Sequence, residues 1–237
     1  MRHPKRFTRI AWIAVIVLAV LAGVFYVYTL DYYRAEDIAV ETLASDPGRI
    51  ERQDRMTVFH PPEGADTGAG LIFYPGGKVE DIAYAPLLMR IARQGITCVL
   101  IKMPFNLAVF DIDAADMVYD RFPEIGDWYL AGHSLGGAMA SSYCGSHGDA
   151  LRGLILLGAY PVNDAGISTL AVYGSEDVNL DRSKFADTPD QIEIAGGNHA
   201  FFGNYGEQKG DGTASITREE QQRVTAEAVT AFILGKS

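Results

Sequence analysis

Short apolar runs alternate with amphipathic segments along most of the chain, and this alternation predicts a layered α/β fold. Runs of four or more apolar residues, rich in β-branched types, are typical of strands that are buried on both faces of a sheet. Strand-like runs lie at residues 56–58, 69–74, 96–101, 128–131, 154–157, 170–173 and 191–194. Helical patterns lie at 79–94, at 114–121, directly after residue 134, and from a Thr-x-x-Glu capping box at 217 to about 234. We therefore predict a mostly parallel central sheet with helices on both faces.

The first part of the chain has a different pattern. Ile10–Leu30 is uncharged and apolar throughout except for Thr29. At about 1.5 Å per residue, a helix of this length spans roughly the 30 Å hydrocarbon core of a bilayer. Basic residues precede it and tyrosines gather at its far end, so we predict a transmembrane anchor with the N-terminus in the cytoplasm and the rest outside. The alternative is secretion after signal cleavage, because Val20-Leu21-Ala22 offers a faint cleavage site.

These patterns divide the 237 residues into three parts. Residues 1–34 form a cytoplasmic stub and anchor, the mixed polar stretch 35–50 is predicted to be a linker, and 51–237 form one globular domain. Residues 1–34 carry five basic residues and one acidic residue, a net of +4, so the remainder carries −14 if the whole is −10. This acidic body argues against nucleic acid or an anionic membrane surface as a partner.

The two cysteines add little chemistry. Cys98 lies in a strand-like run and Cys144 in the helical segment after residue 134, settings typical of buried apolar side chains. The sequence contains no C-x-x-C pair or Cys/His cluster, so it predicts no metal site.

The candidate chemistry centres on Gly132-His133-Ser134-Leu135-Gly136, a G-x-S-x-G pattern between a strand and a helix of small residues. A serine at the apex of such a turn presents its hydroxyl group. Glycines on either side let the strand and helix backbones pass closely. The helix N-terminus also directs free N–H groups and a positive dipole end toward this point. Ser134 is therefore the predicted nucleophile.

An acid and a histidine are expected after later strands, because ligands of open parallel sheets bind outside the carboxyl ends of the strands. Asp177 follows the run at 170–173 through a glycine turn, and its neighbour Glu176 stays an open alternative. His199 lies on a glycine loop after the last strand. The order serine, acid, histidine is that of α/β-hydrolases and differs from that of chymotrypsin and subtilisin. In acyl transfer, His199 would take the proton of Ser134 and return it to the leaving group, while Asp177 would fix the tautomer of the imidazole.

An oxyanion hole is expected beside the nucleophile. It would combine the backbone N–H of Leu135 with one N–H from the loop Pro75-Gly76-Gly77-Lys78. Within that loop we choose Gly77 over Lys78.

Several segments resemble the α/β-hydrolase superfamily. They are Tyr-Pro-Gly-Gly-Lys-Val at 74–79, Lys-Met-Pro-Phe-Asn-Leu-Ala-Val-Phe at 102–110, Gly-His-Ser-Leu-Gly-Gly at 132–137, Tyr-Gly-Ser-Glu-Asp at 173–177 and Gly-Gly-Asn-His-Ala-Phe-Phe-Gly at 196–203. More narrowly, the chain resembles a membrane-anchored bacterial branch related to dienelactone-hydrolase-like proteins, over about residues 50–236. The resemblance implies an α/β-hydrolase fold and a triad at Ser134, Asp177 and His199. A dienelactone hydrolase proper uses cysteine as its nucleophile, so Ser134 counts against that narrow activity.

One departure from the family concerns the lid. Many members insert a cap after the sixth strand, but here only Gly158–Thr169 separates two strand-like runs. We therefore predict no cap domain and a shallow, partly open cleft, with the loop 202–215 as a partial roof or as plain surface.

The function predicted from these features is hydrolysis of a small-molecule ester, or thioester, on the extracytoplasmic side of a membrane and without a cofactor. The non-enzymatic alternative is a hydrolase-fold binding or envelope protein whose triad is idle. Haloperoxidase-like or C–C hydrolase chemistry on the same triad is a further alternative that the sequence leaves open.

Overall fold

The computed structural model describes residues 4–185 and 188–235, and the chain separates into two compact units, Met1–Tyr32 and Tyr33–Ser237. The first unit contains helix α1 (Pro4–Leu30). Its segment Thr8–Leu30 is long and apolar enough to cross a membrane, judged by length and composition alone.

The second unit is built on one sheet, which contains eight strands within the described residues. From one edge to the other they are Ile50–Arg52 (β1), Met56–Phe59 (β2), Thr97–Ile101 (β4), Ala69–Tyr74 (β3), Asp127–His133 (β5), Gly153–Leu157 (β6), Ser168–Gly174 (β7) and Asp190–Ile194 (β8). Strands β1 and β2 pair in antiparallel fashion with their neighbours, and all the later pairs are parallel. The prediction of a mostly parallel sheet is confirmed, and β1 is the strand that the apolar pattern did not indicate.

Helices cover both faces of this sheet, as predicted. They are α2 Asp37–Ser45, α3 Ala85–Ala92, α4 Asp116–Tyr119, α5 Leu135–His147 and α6 Arg218–Leu234. Alternate residues of β3 show the two layers, because Leu71 and Phe73 pack in the apolar cluster of α3 and α6, while Ile72 packs in the cluster of α4 and α5. Continuous apolar strands are therefore explained by burial on both faces.

The helix predicted at 79–94 is shorter in the structure. A 3₁₀ turn occupies Asp81–Tyr84, and α3 begins only at Ala85. Pro86 lies in the first turn of α3, where its missing N–H is tolerated; further inside a helix its ring would clash with the preceding turn.

The linker expected at 35–50 is folded into the second unit. It contains α2, whose Ala39 is fully buried. Two backbone N–H groups tie its start to the domain: that of Glu36 donates to the carbonyl of Asn204 at 2.8 Å, and that of Ala35 to Glu80 Oε2 at 2.9 Å. The mixed polar pattern therefore belongs to a helix with a narrow buried face, which composition alone does not distinguish from a linker.

The unit begins at Tyr33, which forms a parallel bridge with Val79. The N–H of Tyr33 donates to the carbonyl of Lys78 at 2.7 Å, and the N–H of Glu80 donates back to the carbonyl of Tyr33 at 2.9 Å. The first residues of the unit therefore hold the loop that follows β3.

The connection between β6 and β7 is short, and within the described residues it contains no helix. The prediction that the domain lacks a cap is in agreement with this connection. The carboxyl ends of β5, β6 and β7 are therefore left without a lid made by this segment.

Candidate active site

Ser134 lies at the sharp turn between β5 and α5. Its backbone has φ 52° and ψ −121°, and its N–H donates to the carbonyl of Leu157 at 3.0 Å. A non-glycine residue in such a conformation costs on the order of 1–3 kcal/mol and persists where surrounding contacts enforce it. Ser134 is thus the apex of a strained turn, as the sequence predicted for this pattern.

Two glycines make this turn sterically feasible. A Cβ atom on Gly132 would lie 2.5 Å from the carbonyl oxygen of Gly136. A Cβ atom on Gly136 would overlap the carbonyl oxygens of Tyr74 and Pro75. Only glycine at both positions lets α5 start this close to β5 and β3.

Asp177 and His199 form a buried pair. His199 Nδ1 lies 2.7 Å from Asp177 Oδ2, and each residue is only 3 % exposed. An ionised carboxylate accepts hydrogen bonds and donates none, so Nδ1 carries the proton and Nε2 is left with a free lone pair. Asp177 Oδ1 also accepts the N–H of Asn179 at 3.0 Å. The neighbouring Glu176 instead accepts a hydrogen bond from the Ser175 hydroxyl at the surface, so it is Asp177 that contacts the histidine.

Asp211 holds the backbone around His199, and sequence reasoning did not identify it. Its Oδ1 accepts the N–H of His199 at 3.2 Å, and its Oδ2 accepts the N–H of Ala200 at 2.8 Å. Asn198 also donates from Nδ2 to the carbonyl of Gly212 at 2.9 Å. The glycine-rich loop after residue 202 therefore fixes the histidine loop, and no local motif around Asp211 signals this contact.

Ser134 and His199 line the same cleft, which is half-open and has a volume of about 410 Å³. Its other walls come from α5, the β6–β7 connection and the loops after β7 and His199: Leu135, Ala138, Ala159, Tyr160, Leu180 and Gln208. Gln208 is the contribution of the loop 202–215, so this loop forms part of the wall. The volume suits a small ligand or one short acyl chain.

The backbone N–H groups of Gly77 and Leu135 are among those near Ser134 that have no acceptor within the described residues. A Cβ atom on Gly77 would lie 2.8 Å from Leu135 Cδ2, so the two residues are in close contact. The N–H of Lys78, by contrast, donates to the carbonyl of Asn106 at 2.7 Å. The N–H groups of Gly77 and Leu135 are therefore both available to a further acceptor, whereas that of Lys78 is occupied.

A buried hydrogen-bond chain runs beneath the site from Gly76 to His199. The N–H of Gly76 donates to the Tyr84 hydroxyl at 3.0 Å, and that hydroxyl lies 2.7 Å from His133 Nδ1. His133 Nε2 lies 3.1 Å from the carbonyl oxygen of His199, which only accepts, so Nε2 carries the proton and Nδ1 accepts from the tyrosine. Burial, and next the nearby His199, hold the pKa of His133 well below its usual value.

His133 should therefore make stability depend on pH. Because its pKa is depressed in the folded state, the unfolded chain binds the proton first, and stability falls as the pH drops below about 6.5, by at most about 1.4 kcal/mol per pH unit. In urea unfolding, the free energy of unfolding of His133→Phe should fall less steeply than that of the wild type between pH 6.5 and 4.5. His60→Phe, at a partly exposed position, should keep the wild-type slope. Equal slopes for wild type and His133→Phe would contradict the assignment.

The backbone of Gly158 lies close to the Asp177–His199 pair. It has φ 52°, and a Cβ atom there would lie 3.0 Å from His199 Nδ1 and 3.3 Å from Asp177 Oδ2. We expect Gly158→Ala to displace the pair and lower kcat/KM for an ester about 10- to 100-fold. Gly166→Ala is the matched control, because Gly166 has φ 64° and open space around its Cβ position. Both variants should lose similar thermal stability, and an equal loss of activity in both would exclude the steric explanation.

The thiols take no part in this geometry. Cys98 and Cys144 are unpaired and buried. Burial raises the pKa of Cys144 to about 12 and raises that of Cys98 further, so both stay protonated near neutral pH. Among the described residues, no group of three His, Cys, Asp or Glu side chains is arranged to hold a metal ion.

Comparison with known proteins defines the class. Residues 70–223 match the family model described as "Alpha/beta hydrolase family", so the chain belongs to that family. A search of curated proteins finds no match.

Solved structures with low sequence identity share the fold. An esterase from Pyrobaculum calidifontis is 13 % identical, with a TM-score of 0.58 over 82 % of this chain and 89 % of that chain. A dienelactone hydrolase from Anabaena variabilis is 13 % identical, with a TM-score of 0.57 over 76 % and 90 %. A bacterial membrane phospholipase A is 15 % identical, with a TM-score of 0.50 over 96 % and 98 %. At these identities the likeness concerns the fold alone.

Proposed function

We propose that this protein is a serine hydrolase that cleaves carboxylic esters or thioesters through an acyl-enzyme. One arrangement carries the proposal: the strained Ser134 and the buried Asp177–His199 pair open on one cleft. An idle binding protein has no need for a strained serine next to a histidine whose tautomer is fixed.

Each group has a role in this chemistry. His199 Nε2, left free by the bond from Nδ1 to Asp177, accepts the proton of Ser134 as the hydroxyl attacks the carbonyl carbon. The carboxylate of Asp177 stabilises the imidazolium that forms. The negative oxygen of the tetrahedral intermediate is stabilised by the N–H groups of Gly77 and Leu135 and by the N-terminal end of α5.

The second half of the reaction uses the same groups. The imidazolium of His199 gives its proton to the leaving alcohol or thiol, and the acyl group stays on Ser134. Water then attacks the acyl carbon as His199 accepts its proton, and His199 passes that proton to the Ser134 oxygen as the acid leaves. No step needs a group beyond these side chains, the backbone donors and water.

Covalent labelling tests whether the serine is activated. A fluorophosphonate probe should label the full-length protein at Ser134, and a panel of short esters and thioesters should show turnover that the labelled protein lacks. If the probe leaves Ser134 unmodified and no ester is turned over, the protein is a binding protein with an idle triad.

We further propose that Thr8–Leu30 anchors the protein, with the hydrolase domain on the extracytoplasmic side. The basic residues before the helix support this orientation. A C-terminal reporter enzyme that folds only outside the cytoplasm should be active, and the fusion should stay in carbonate-washed membranes at full length. An active cytoplasmic reporter would reverse the orientation, and a shortened soluble product would indicate signal cleavage.

A further inference from the structure

Among the described residues of the hydrolase domain, seven large apolar side chains are exposed, and two of them, Ile38 and Val40, lie on α2. Five of them lie on loops that follow the carboxyl ends of the strands, and each is between 48 and 68 % exposed. We call this set the apolar rim; it consists of Phe105, Val109, Phe110, Val162 and Val178. In the part of the chain that the structure describes, the segments leading into the amino ends of β3, β4, β5 and β6 contain no large apolar side chain exposed to this degree.

The apolar rim borders the cleft on both sides. Val162 lines the cleft, and Val178 lies between Asp177 and the cleft residue Asn179. On the other side, the loop of Phe105 touches the oxyanion region, because the carbonyl of Asn106 accepts the N–H of Lys78. Exposed apolar side chains therefore lie on loops to both sides of the turn after β5 that carries Ser134.

The backbone at Phe105 is strained. Phe105 and Asn106 both have φ 55°, a left-handed conformation that is a genuine outlier for a bulky side chain. The ring is 51 % exposed and packs edge-on against the ring of Phe110, with centroids 5.7 Å apart. Contiguous exposed apolar surface on a soluble protein marks an interaction site, and backbone strain of this kind clusters at functional positions.

The chain enters the domain at this same end. Tyr33, the first residue of the unit, bridges to Val79, two residues after Gly77. Only Asp31 and Tyr32 separate it from the end of α1, a path of at most about 10 Å. The covalent path from α1 therefore joins the domain at the end that carries the cleft.

We propose that the apolar rim docks on the surface of a lipid bilayer and that the substrate is an acyl ester carried by a membrane lipid. This inference rests on the proposed serine hydrolase function. The net charge of −14 outside residues 1–34 opposes electrostatic attraction to anionic lipid, so the contact is apolar insertion into a mainly zwitterionic surface. The uncapped cleft receives the ester group at the interface, and the remaining acyl chains stay in the bilayer.

Lipid quenching tests the docking without relying on activity. Full-length protein is reconstituted in phosphatidylcholine vesicles after Phe110→Cys has been labelled with an environment-sensitive dye; the two native thiols are buried. Glu124→Cys, exposed on the segment leading into β5, is the control. Spin-labelled phosphatidylcholine should quench the dye at position 110 at least about twice as strongly as at position 124. Equal quenching at positions 110 and 124 would overturn the proposal. It would mean that a protein partner or solvent, and not lipid, covers the apolar rim.

Hydrolysis tests the substrate. Nitrophenyl butyrate in solution is compared with nitrophenyl palmitate dissolved in the same vesicles, using Val109→Ser/Phe110→Ser and the apolar control Phe110→Leu. We expect Val109→Ser/Phe110→Ser to hydrolyse the embedded ester about tenfold or more slowly than the wild type and the soluble ester at an unchanged rate. Phe110→Leu should hydrolyse both esters at the wild-type rate. If wild type cleaves only the soluble ester, or if the serine variant keeps both rates, the membrane proposal fails and the proposed function stands. If wild type cleaves neither ester and the fluorophosphonate leaves Ser134 unmodified, the hydrolase assignment itself fails.

Discussion

Ser134→Ala should lower the turnover of a short nitrophenyl ester by on the order of 10⁴-fold or more, because the substitution removes the hydroxyl at the strained turn that lines the cleft with His199. The alanine keeps the Cβ atom and the backbone conformation, so the thermal unfolding temperature should change little. Steady-state kinetics and a melting curve measure both quantities.

Ser142→Ala supplies the matched control for this substitution. Ser142 is a partly buried serine two turns further along α5, outside the cleft lining. It should retain wild-type turnover and fluorophosphonate labelling. Turnover by Ser134→Ala that stays within tenfold of wild type would remove Ser134 from the role of nucleophile.

Asp177→Asn should lower kcat/KM by on the order of 10⁴-fold. The substitution conserves shape, but an amide that turns its N–H toward His199 Nδ1 favours the tautomer with the proton on Nε2. In that tautomer Nε2 is a donor and has no lone pair for the Ser134 proton. Because the pair is buried, water does not replace the lost carboxylate.

Glu176→Gln makes the same charge change one residue earlier and should leave the rate close to that of wild type. Its carboxylate faces the Ser175 hydroxyl rather than the histidine. Comparing kcat/KM for the two variants separates the triad acid from its neighbour. A large loss of kcat/KM in Glu176→Gln, together with nearly full activity in Asp177→Asn, would identify Glu176 as the triad acid.

The fold could be predicted because its signals are local. Each parallel strand is a continuous apolar run, and burial on both faces is the physical reason for such a run. The edge strand β1 and the helix α2 escaped prediction, because each buries only a narrow part of its surface and looks polar in the sequence. Their positions depend on distant partners: β1 pairs with β2, and the segment before α2 bonds to Asn204 and Glu80.

The candidate site could be predicted in part for a related reason. Ser134, Asp177 and His199 each follow a strand at a glycine turn, and a parallel sheet brings such ends together. The structure places these residues together, while their catalytic roles stay proposals. The contact of Asp211 with the histidine loop escaped prediction, because it joins two loops whose approach no spacing encodes. The choice of Gly77 over Lys78 was made from the sequence, but the hydrogen bond from the Lys78 N–H to Asn106 was not foreseen, because it joins the site to a third loop.

The bridge between Tyr33 and Val79 sets where a soluble form of the enzyme has to begin. A fragment starting at residue 35 would lack both backbone hydrogen bonds that Tyr33 makes with the loop carrying Gly77. Such a fragment could fold and still hold the loop that carries Gly77 less firmly, so fragments for crystallisation and assay should begin before residue 33. Natural processing after Ala22 would leave Tyr33 in place, so a released form and an anchored form would share the bridge between Tyr33 and Val79.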